Sequence, residues 1–396
     1  MCNHGVYFDH AATTFTRPEV LSKMLPYFGQ SYGNASGIYS MARLSRQIVE
    51  WSRGEIAKAI GAKEDREIYF TAGGSESDNW AIKGVARANK TKGNHIITSK
   101  IEHHAVLHTL KTLEKEGFEV TYLDVDEYGR ISLEQLENAI TEQTILITIM
   151  FANNEIGTIE PVREIGEIAR KHNVYFHCDA VQAVGHVPVH VEEMNIDLLS
   201  MSGHKFYGPK GIGALYIRKG VKIQNLIDGG AQERNKRAGT ENVPGIVGMA
   251  EALRIAVEDM DMHNKQLARM RDRIIKEITE NIPYVRLNGH PVERLPGNVN
   301  LSFEFIEGES LLLSLDLKGI AASSGSACTS GSLDPSHVLL AIGLSHEIAH
   351  GSLRITLGYE NTDDDIDYLF TVLPEIVERL RMMSPLYEKV LKGENK

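Results

Sequence analysis

Lys205 stands in the stretch DLLSMSGHKFYGPKGIG, just past an apolar run, Asp197 to Ser202, that reads as a strand. A lysine there has two readings. It snorkels to the surface, or its amine is deprotonated in a buried site and attacks a carbonyl as a Schiff-base lysine. Gly203, Gly208 and Gly211 flank it and suit a bend where backbone comes close to something. Asp179 ends another apolar run in VYFHCDAVQAVG and is either a helix cap or a buried carboxylate paired with a cation. In FTAGGSESDNWAIKG a strand enters Gly73, Gly74 and Ser75 before a helical pattern, and amides at a helix start bind phosphate. His103, just past HIITS, is a structural histidine or a proton carrier that titrates near neutrality. A lysine for an aldehyde, an acid for a pyridinium nitrogen and a phosphate cradle are together the parts of a pyridoxal phosphate site.

Two other stretches carry chemistry. Cys328 lies in SSGSACTSGS, a run with no branched aliphatic or aromatic residue. Free cysteines favour apolar interiors, so a cysteine in such a run is either without a role or a thiol that must reach out and react. HEIAH, His346 to His350, fits a zinc-hydrolase pattern with Glu347 as base. Gly351 follows at once, so the helix beneath it is short, and a third ligand is needed as well. That hydrolase is the remote alternative, and no metal is expected.

The elements that must position these residues are legible. IYFTA, HIITS, VTYLDV, TILITIMFA, VYFHCDA, DLLSMS and GALYIR alternate with helical segments such as Ser77 to Asn89 and Val162 to His172. Continuous apolar strands of this kind predict an α/β domain whose mostly parallel sheet is buried on both faces. Ligands of such sheets bind beyond the strands' carboxyl ends. A long helical stretch, Val247 to Asn281, follows as a join between two lobes. A mixed part with GNVNLSFEF and SLRITLG comes next, and then a helix capped by Thr362 with Pro374 as an expected kink. Cys178 alternates with Phe176 and Val174 and reads as core.

The chain has 396 residues, 42% hydrophobic and 24% charged, an ordinary globular composition with room for two or three domains. A net charge of −11 argues against direct nucleic-acid binding. No apolar run approaches a membrane span, and MCNHGVYFDH has no secretory pattern. The sparse, odd set Cys2, Cys178 and Cys328, with no C-x-x-C, fits a reducing compartment, most simply the cytoplasm.

YFDHAATT, YGNASG, GGSESDN, EHHAV, NNEIG, HCDAVQAVG, SGHKFYGPKGIG, RAGTEN, SSGSACTSG and GSLRITLG occur in that order along nearly the whole chain. Together they resemble the cysteine desulfurases, in the branch with a long catalytic loop, of the class-V aminotransferase family. The resemblance implies a pyridoxal-phosphate-dependent transferase of fold type I, aspartate-aminotransferase-like. It would have a large α/β domain with a mostly parallel seven-stranded sheet, residues 15–260, and a smaller α+β domain formed by 1–14 and 261–396. It implies a homodimer that takes sulfur from L-cysteine, leaves L-alanine and holds the sulfur as a persulfide on Cys328. From there the sulfur passes to an acceptor such as an iron–sulfur scaffold or a tRNA-thiolation protein.

By motif, Lys205 resembles the Schiff-base lysine, Asp179 the partner of the pyridine nitrogen and Gln182 a neighbour of the phenolic oxygen. His103 would stack on the ring and serve as acid and base. Gly74, Ser75, Ser202 and His204 resemble the phosphate contacts, with Thr240 added by a second subunit. Arg354 would hold the substrate carboxylate, helped by Asn34 and Asn154, the last also beside the cofactor. The Ser/Gly run around Cys328 has the low stiffness that a travelling thiol needs. Ala35, Ser75 and Phe15 depart from the family's usual Pro, Thr and Pro, and GYENTDDD lacks its usual basic residue. Selenocysteine lyase, or another pyridoxal-phosphate lyase or transferase, is the rival reading.

Overall fold

A computed structural model describes residues 5–324 and 335–393. Seven strands form the central sheet: β1 (Ile68–Thr71), β2 (His95–Ser99), β3 (Glu119–Leu123), β4 (Thr144–Thr148), β5 (Tyr175–Asp179), β6 (Leu198–Ser202) and β7 (Gly213–Ile217). Their order is β1-β7-β6-β5-β4-β2-β3. β7 runs antiparallel to both its neighbours, and the other pairings are parallel. The carboxyl ends of β1, β2, β4, β5 and β6 therefore share one edge. Their continuous apolar runs are explained by burial: β2, β4, β6 and β7 are buried along their whole lengths.

Helices cover both faces. α1 (Ser40–Ala59) packs on the side of Ile56, Phe70, Ile147 and Phe176. α2 (Gly74–Ala88) and α3 (His104–Lys115) cover the other, where Trp80, Ile82 and Val85 meet Ile96, Leu146 and Leu198. Wholly buried aliphatic side chains such as Ile82 and Val85 each stabilise the fold by about 1.5–3 kcal/mol. α4 (Val162–Lys171) crosses from β4 to β5.

The long helical stretch expected over Val247 to Asn281 is two helices, α5 (Val243–Glu258) and α6 (Met260–Asn281). The break at Asp259 has a packing reason. α5 buries residues nearly all round and lies against the sheet layer. α6 turns one stripe, Leu267, Met270, Ile274 and Ile278, to a second apolar cluster. That cluster holds β8 (Val285–Leu287), β9 (Asn298–Phe303) and β10 (Ser352–Thr356), an antiparallel sheet. α7 (Gly308–Asp316) and α8 (Asp363–Met382) pack there too. Thr362 caps α8 through a capping box with Asp365. α8 continues through Pro374 without ending. α2 begins three residues before its expected start, at Gly74, which puts the Gly-Ser turn inside its first turn.

Candidate active site

The shared carboxyl edge gathers most of the residues picked out by type and spacing. Asp179 closes β5, and Ser202 closes β6. A single short turn, Gly203–Lys205, then places His204 and Lys205 over the edge. Gly73 enters α2 at φ 155°, and a Cβ on Gly74 would lie 2.7 Å from Val181 Cγ2. Only a glycine lets the start of α2 close on the Asp179–Gln182 turn. The early amides of α2 have no acceptor within the helix and face outward at its positive end.

A cleft of about 520 Å³ opens at that point, lined by Gly73, Gly74, Ser75, Ser202, His204 and Lys210 among others. Helix amides, two hydroxyls and a lysine make a donor set suited to a phosphate. Thr13 also lines the cleft, and its hydroxyl pairs with His204 Nδ1 at 3.1 Å. Burial with Lys205 and Lys210 nearby pushes His204 down to about 4. It is a neutral ring near neutral pH.

The aldehyde and ring side of the site is equally built. Lys205 Nζ donates to the Ala11 carbonyl and, at 2.9 Å, to the Ala12 carbonyl. Gln182 Nε2 donates to the same Ala11 oxygen at 3.0 Å. Asp179 is 5% exposed, and its Oδ1 accepts the Val181 amide at 3.0 Å. The cap reading and the charge-pair reading of Asp179 are thus compatible. Burial raises its pKa, while that amide and the Lys205 ammonium pull it back. His103 caps α3, accepting the Ala105 amide on Nδ1 at 3.1 Å. That bond leaves the ring proton on Nε2. Burial, then Lys205, hold His103 down at about 4. A carboxylate beside a lysine, a neutral histidine and a phosphate cradle on one edge fit pyridoxal phosphate.

The other wall comes from β10. Arg354 is 3% exposed, and its Nη2 pairs with Asp9 Oδ1 at 2.7 Å. Nη1 donates to the Asn154 carbonyl at 3.0 Å, and among the described residues buried Nε has no hydrogen-bond partner. Such a donor lacks an acceptor of the kind a carboxylate supplies. Two anchors flank this wall. Ser323 and Arg354 exchange both backbone hydrogen bonds. Past the undescribed stretch, Ser336 Oγ pairs with buried Glu155, and His337 Nε2 meets the Glu102 carbonyl at 3.0 Å, one residue before His103. Burial raises Glu155 to about 7, against the Ser336 hydroxyl and the Arg354 charge.

The remaining expectations fall elsewhere. Cys328 and Cys2 lie outside the described residues. Asn34 is exposed, and its side chain accepts the Ser36 amide at 2.9 Å. Thr240 is exposed and does not line the cleft in this single copy. Cys178 is wholly buried. HEIAH forms a five-residue helix, and among the described residues no group of three or more His, Cys, Asp or Glu is placed to hold a metal ion. Asp9, Thr13, Lys210 and Glu155 were not singled out from sequence. Asp9 and Thr13 sit inside YFDHAATT, where a strand end beside two threonines was the available signal. No helix among the described residues is long and apolar enough to cross a membrane.

The family description aminotransferase class V matches residues 6–369. A cysteine desulfurase IscS of Clostridium botulinum (strain Hall) is 61% identical over 394 residues, covering 99% of both chains. A cysteine desulfurase IscS of Methanosarcina thermophila is 60% identical over 387 residues, 98% of this chain and 95% of that one. Among solved structures, a NifS-like protein superposes with a TM-score of 0.90 at 40% identity, covering 95% of this chain and 100% of that one. A structure of SspA in complex with cysteine gives 0.79 at 40% identity, over 90% and 100%.

Proposed function

The chain belongs to the aminotransferase class-V family and is a pyridoxal-phosphate-dependent cysteine desulfurase, and from that premise we propose how its own residues divide the work. It acts on L-cysteine and hands sulfur to acceptor proteins. The observation that carries the assignment of roles is the convergence of Lys205, Asp179 and His103 with the α2 cradle on one sheet edge. Pyridoxal phosphate, when bound, supplies an aldehyde for an amine and a ring that withdraws electrons from the substrate's Cα.

Lys205 would hold the aldehyde carbon, Asp179 the ring nitrogen and Gln182 the phenolic oxygen. Gly74, Ser75, Ser202 and His204 would hold the phosphate, with Thr240 from a second copy of the chain; Asn154 would border the ring. Arg354 Nε, the unpartnered donor, receives the substrate carboxylate. Asp9 balances the guanidinium charge before substrate arrives. Asn34 would assist if the second copy brings it to the site.

Lys205 Nζ takes the Cα proton. The Cys328 thiolate then attacks the substrate sulfur: an Sγ–S bond forms and the Cβ–S bond breaks. The electron pair left on Cβ is protonated and Lys205 returns the proton to Cα, giving alanine, and Cys328 keeps the sulfur as a persulfide. His103 Nε2–H is placed to donate a hydrogen bond, because Nδ1 is engaged by the Ala105 amide; to act as acid as well as base the ring must first take up a proton. Burial, which keeps the His103 ring neutral, also suits stacking on an aromatic ring.

Homodimerisation is supported by exposed Leu25, Phe28, Tyr32, Ile38, Tyr39 and Leu44 on one N-terminal segment. The two apolar clusters support a large domain over 15–260 and a small one from 1–14 and 261–396. We place the protein in the cytoplasm on its sparse cysteines. An iron–sulfur scaffold or a tRNA-thiolation protein is the proposed acceptor. Equimolar alanine and sulfide from L-cysteine with excess thiol test the reading. Turnover of selenocysteine with no turnover of cysteine would replace it with a selenocysteine lyase.

A further inference from the structure

Directly beneath Asp179, helix α2 brings a second carboxyl to the face of the sheet. Asp78 is 1% exposed, and among the described residues its Oδ1 has no hydrogen-bond partner. Its polar neighbours are the Ser200 hydroxyl, His177 Nε2 at 3.7 Å from Oδ1, and the carboxyls of Asp179 and Glu102. None of these supplies a positive charge. His177 is wholly buried between two neutral hydroxyls, Thr148 Oγ1 on Nδ1 at 2.8 Å and Ser200 Oγ on Nε2 at 2.9 Å. Burial drives that imidazole down to about 3, so it is no cation.

The register explains the assembly. His177 faces Thr148 across β4 and β5, and Asp179 faces Ser200 across β5 and β6. His177 and Asp179 are two apart on one strand and point to the same face. One polar row therefore runs under the site from Thr148 to Asp179, with Asp78 laid on it by α2.

Two adjacent buried carboxyls do not both ionise readily. The two are unequally equipped. Asp179 has the Val181 amide and the Lys205 ammonium to favour its charge. Asp78 has neither: burial and then Asp179 oppose its charge, with Glu102 adding to them, and only the Ser200 hydroxyl favours it.

We propose that Asp78 is a positioning residue that keeps its proton through the working pH range, so that Asp179 alone presents a negative charge to the site. The inference rests on the reading of Asp179 as the cofactor's ring-nitrogen partner. An ionised Asp78 would draw a proton onto Asp179 and remove the charge that the ring nitrogen needs. The row Thr148–His177–Ser200 is then an uncharged floor, and its hydroxyls orient around a neutral acid.

Infrared spectroscopy of the holoenzyme with carbon-13 in aspartate alone tests this, because the label separates Asp78 from buried Glu102, Glu155 and Glu160. At about pH 8 the labelled protein should show a protonated-carboxyl band that Asp78→Asn loses. Asp179→Asn should retain that band at neutral pH. The titration midpoint of the bound cofactor's visible absorbance should move less than threefold in proton concentration in Asp78→Asn. Absence of the band in wild type, its loss in Asp179→Asn, or a tenfold or larger midpoint shift in Asp78→Asn would each overturn the proposal. Should Asp78→Asn not fold, the wild-type and Asp179→Asn spectra still decide it. A protein with the infrared band but no visible cofactor band would sink the cofactor reading and leave the proton on Asp78.

Discussion

The carboxyl edge of the seven-stranded sheet and the wall built by β10 both border the site, yet they are finished differently. On the edge, the named side chains already have partners within the chain: Gln182 on Ala11, Asp179 on Val181, His103 on Ala105 and Lys205 on two carbonyls. On the wall, Arg354 keeps a buried donor without an acceptor among the described residues, and a raised carboxyl, Glu155, leans on Ser336. A region that holds one group through every turnover gains from being completed in advance. On the proposed roles, the wall takes and releases the substrate carboxylate, and it keeps an interaction in reserve.

Lys205→Ala and Arg354→Lys test that contrast most sharply. Lys205→Ala should lower kcat by about a thousandfold or more and change the bound cofactor's visible spectrum. An unchanged spectrum would break the assignment of the edge. Arg354→Lys should leave that spectrum alone and raise KM for cysteine about 10–100-fold, the scale of a lost charge-assisted pair. A fall in kcat at constant KM would instead place Arg354 with the edge.

Glu155 gives a pH test of the wall. Its pKa is raised to about 7 in the fold, so the native state keeps a proton that the unfolded chain has already lost. Its contribution to stability is therefore full below the unfolded value near 4.5 and is lost as pH rises through about 7. The slope is at most about 1.4 kcal/mol per pH unit. Glu155→Gln should flatten denaturant midpoints across that window, and an unaltered slope would mean that Glu155 is ionised in the fold. Thr362→Ala, at the cap of α8, should cost about 1 kcal/mol in urea unfolding and leave KM unchanged.

The edge was more legible than the wall for a physical reason. Buried parallel strands are written as continuous apolar runs, so Asp179, Lys205 and the Gly73–Gly74 turn stood out where those runs stop. Asp9 did not, because its role comes from Arg354, far away in the chain. Asp78 was hidden inside a helical pattern, where a charged residue ordinarily marks the solvent face. The break at Asp259 was missed because both halves, α5 and α6, continue a helical pattern, and only their different packing partners separate them. Cys328 was legible by composition alone, a thiol in a run unable to form core.

The most direct measurement is a single turnover of the holoenzyme with one equivalent of L-cysteine and no added thiol, followed by mass spectrometry of its peptides. One alanine released per added sulfur atom on the Cys328 peptide, with no sulfur and no alanine from Cys328→Ala, is the predicted result. Alanine formed at the same rate by Cys328→Ala, or sulfur found on Cys2 or Cys178 instead, would contradict the account.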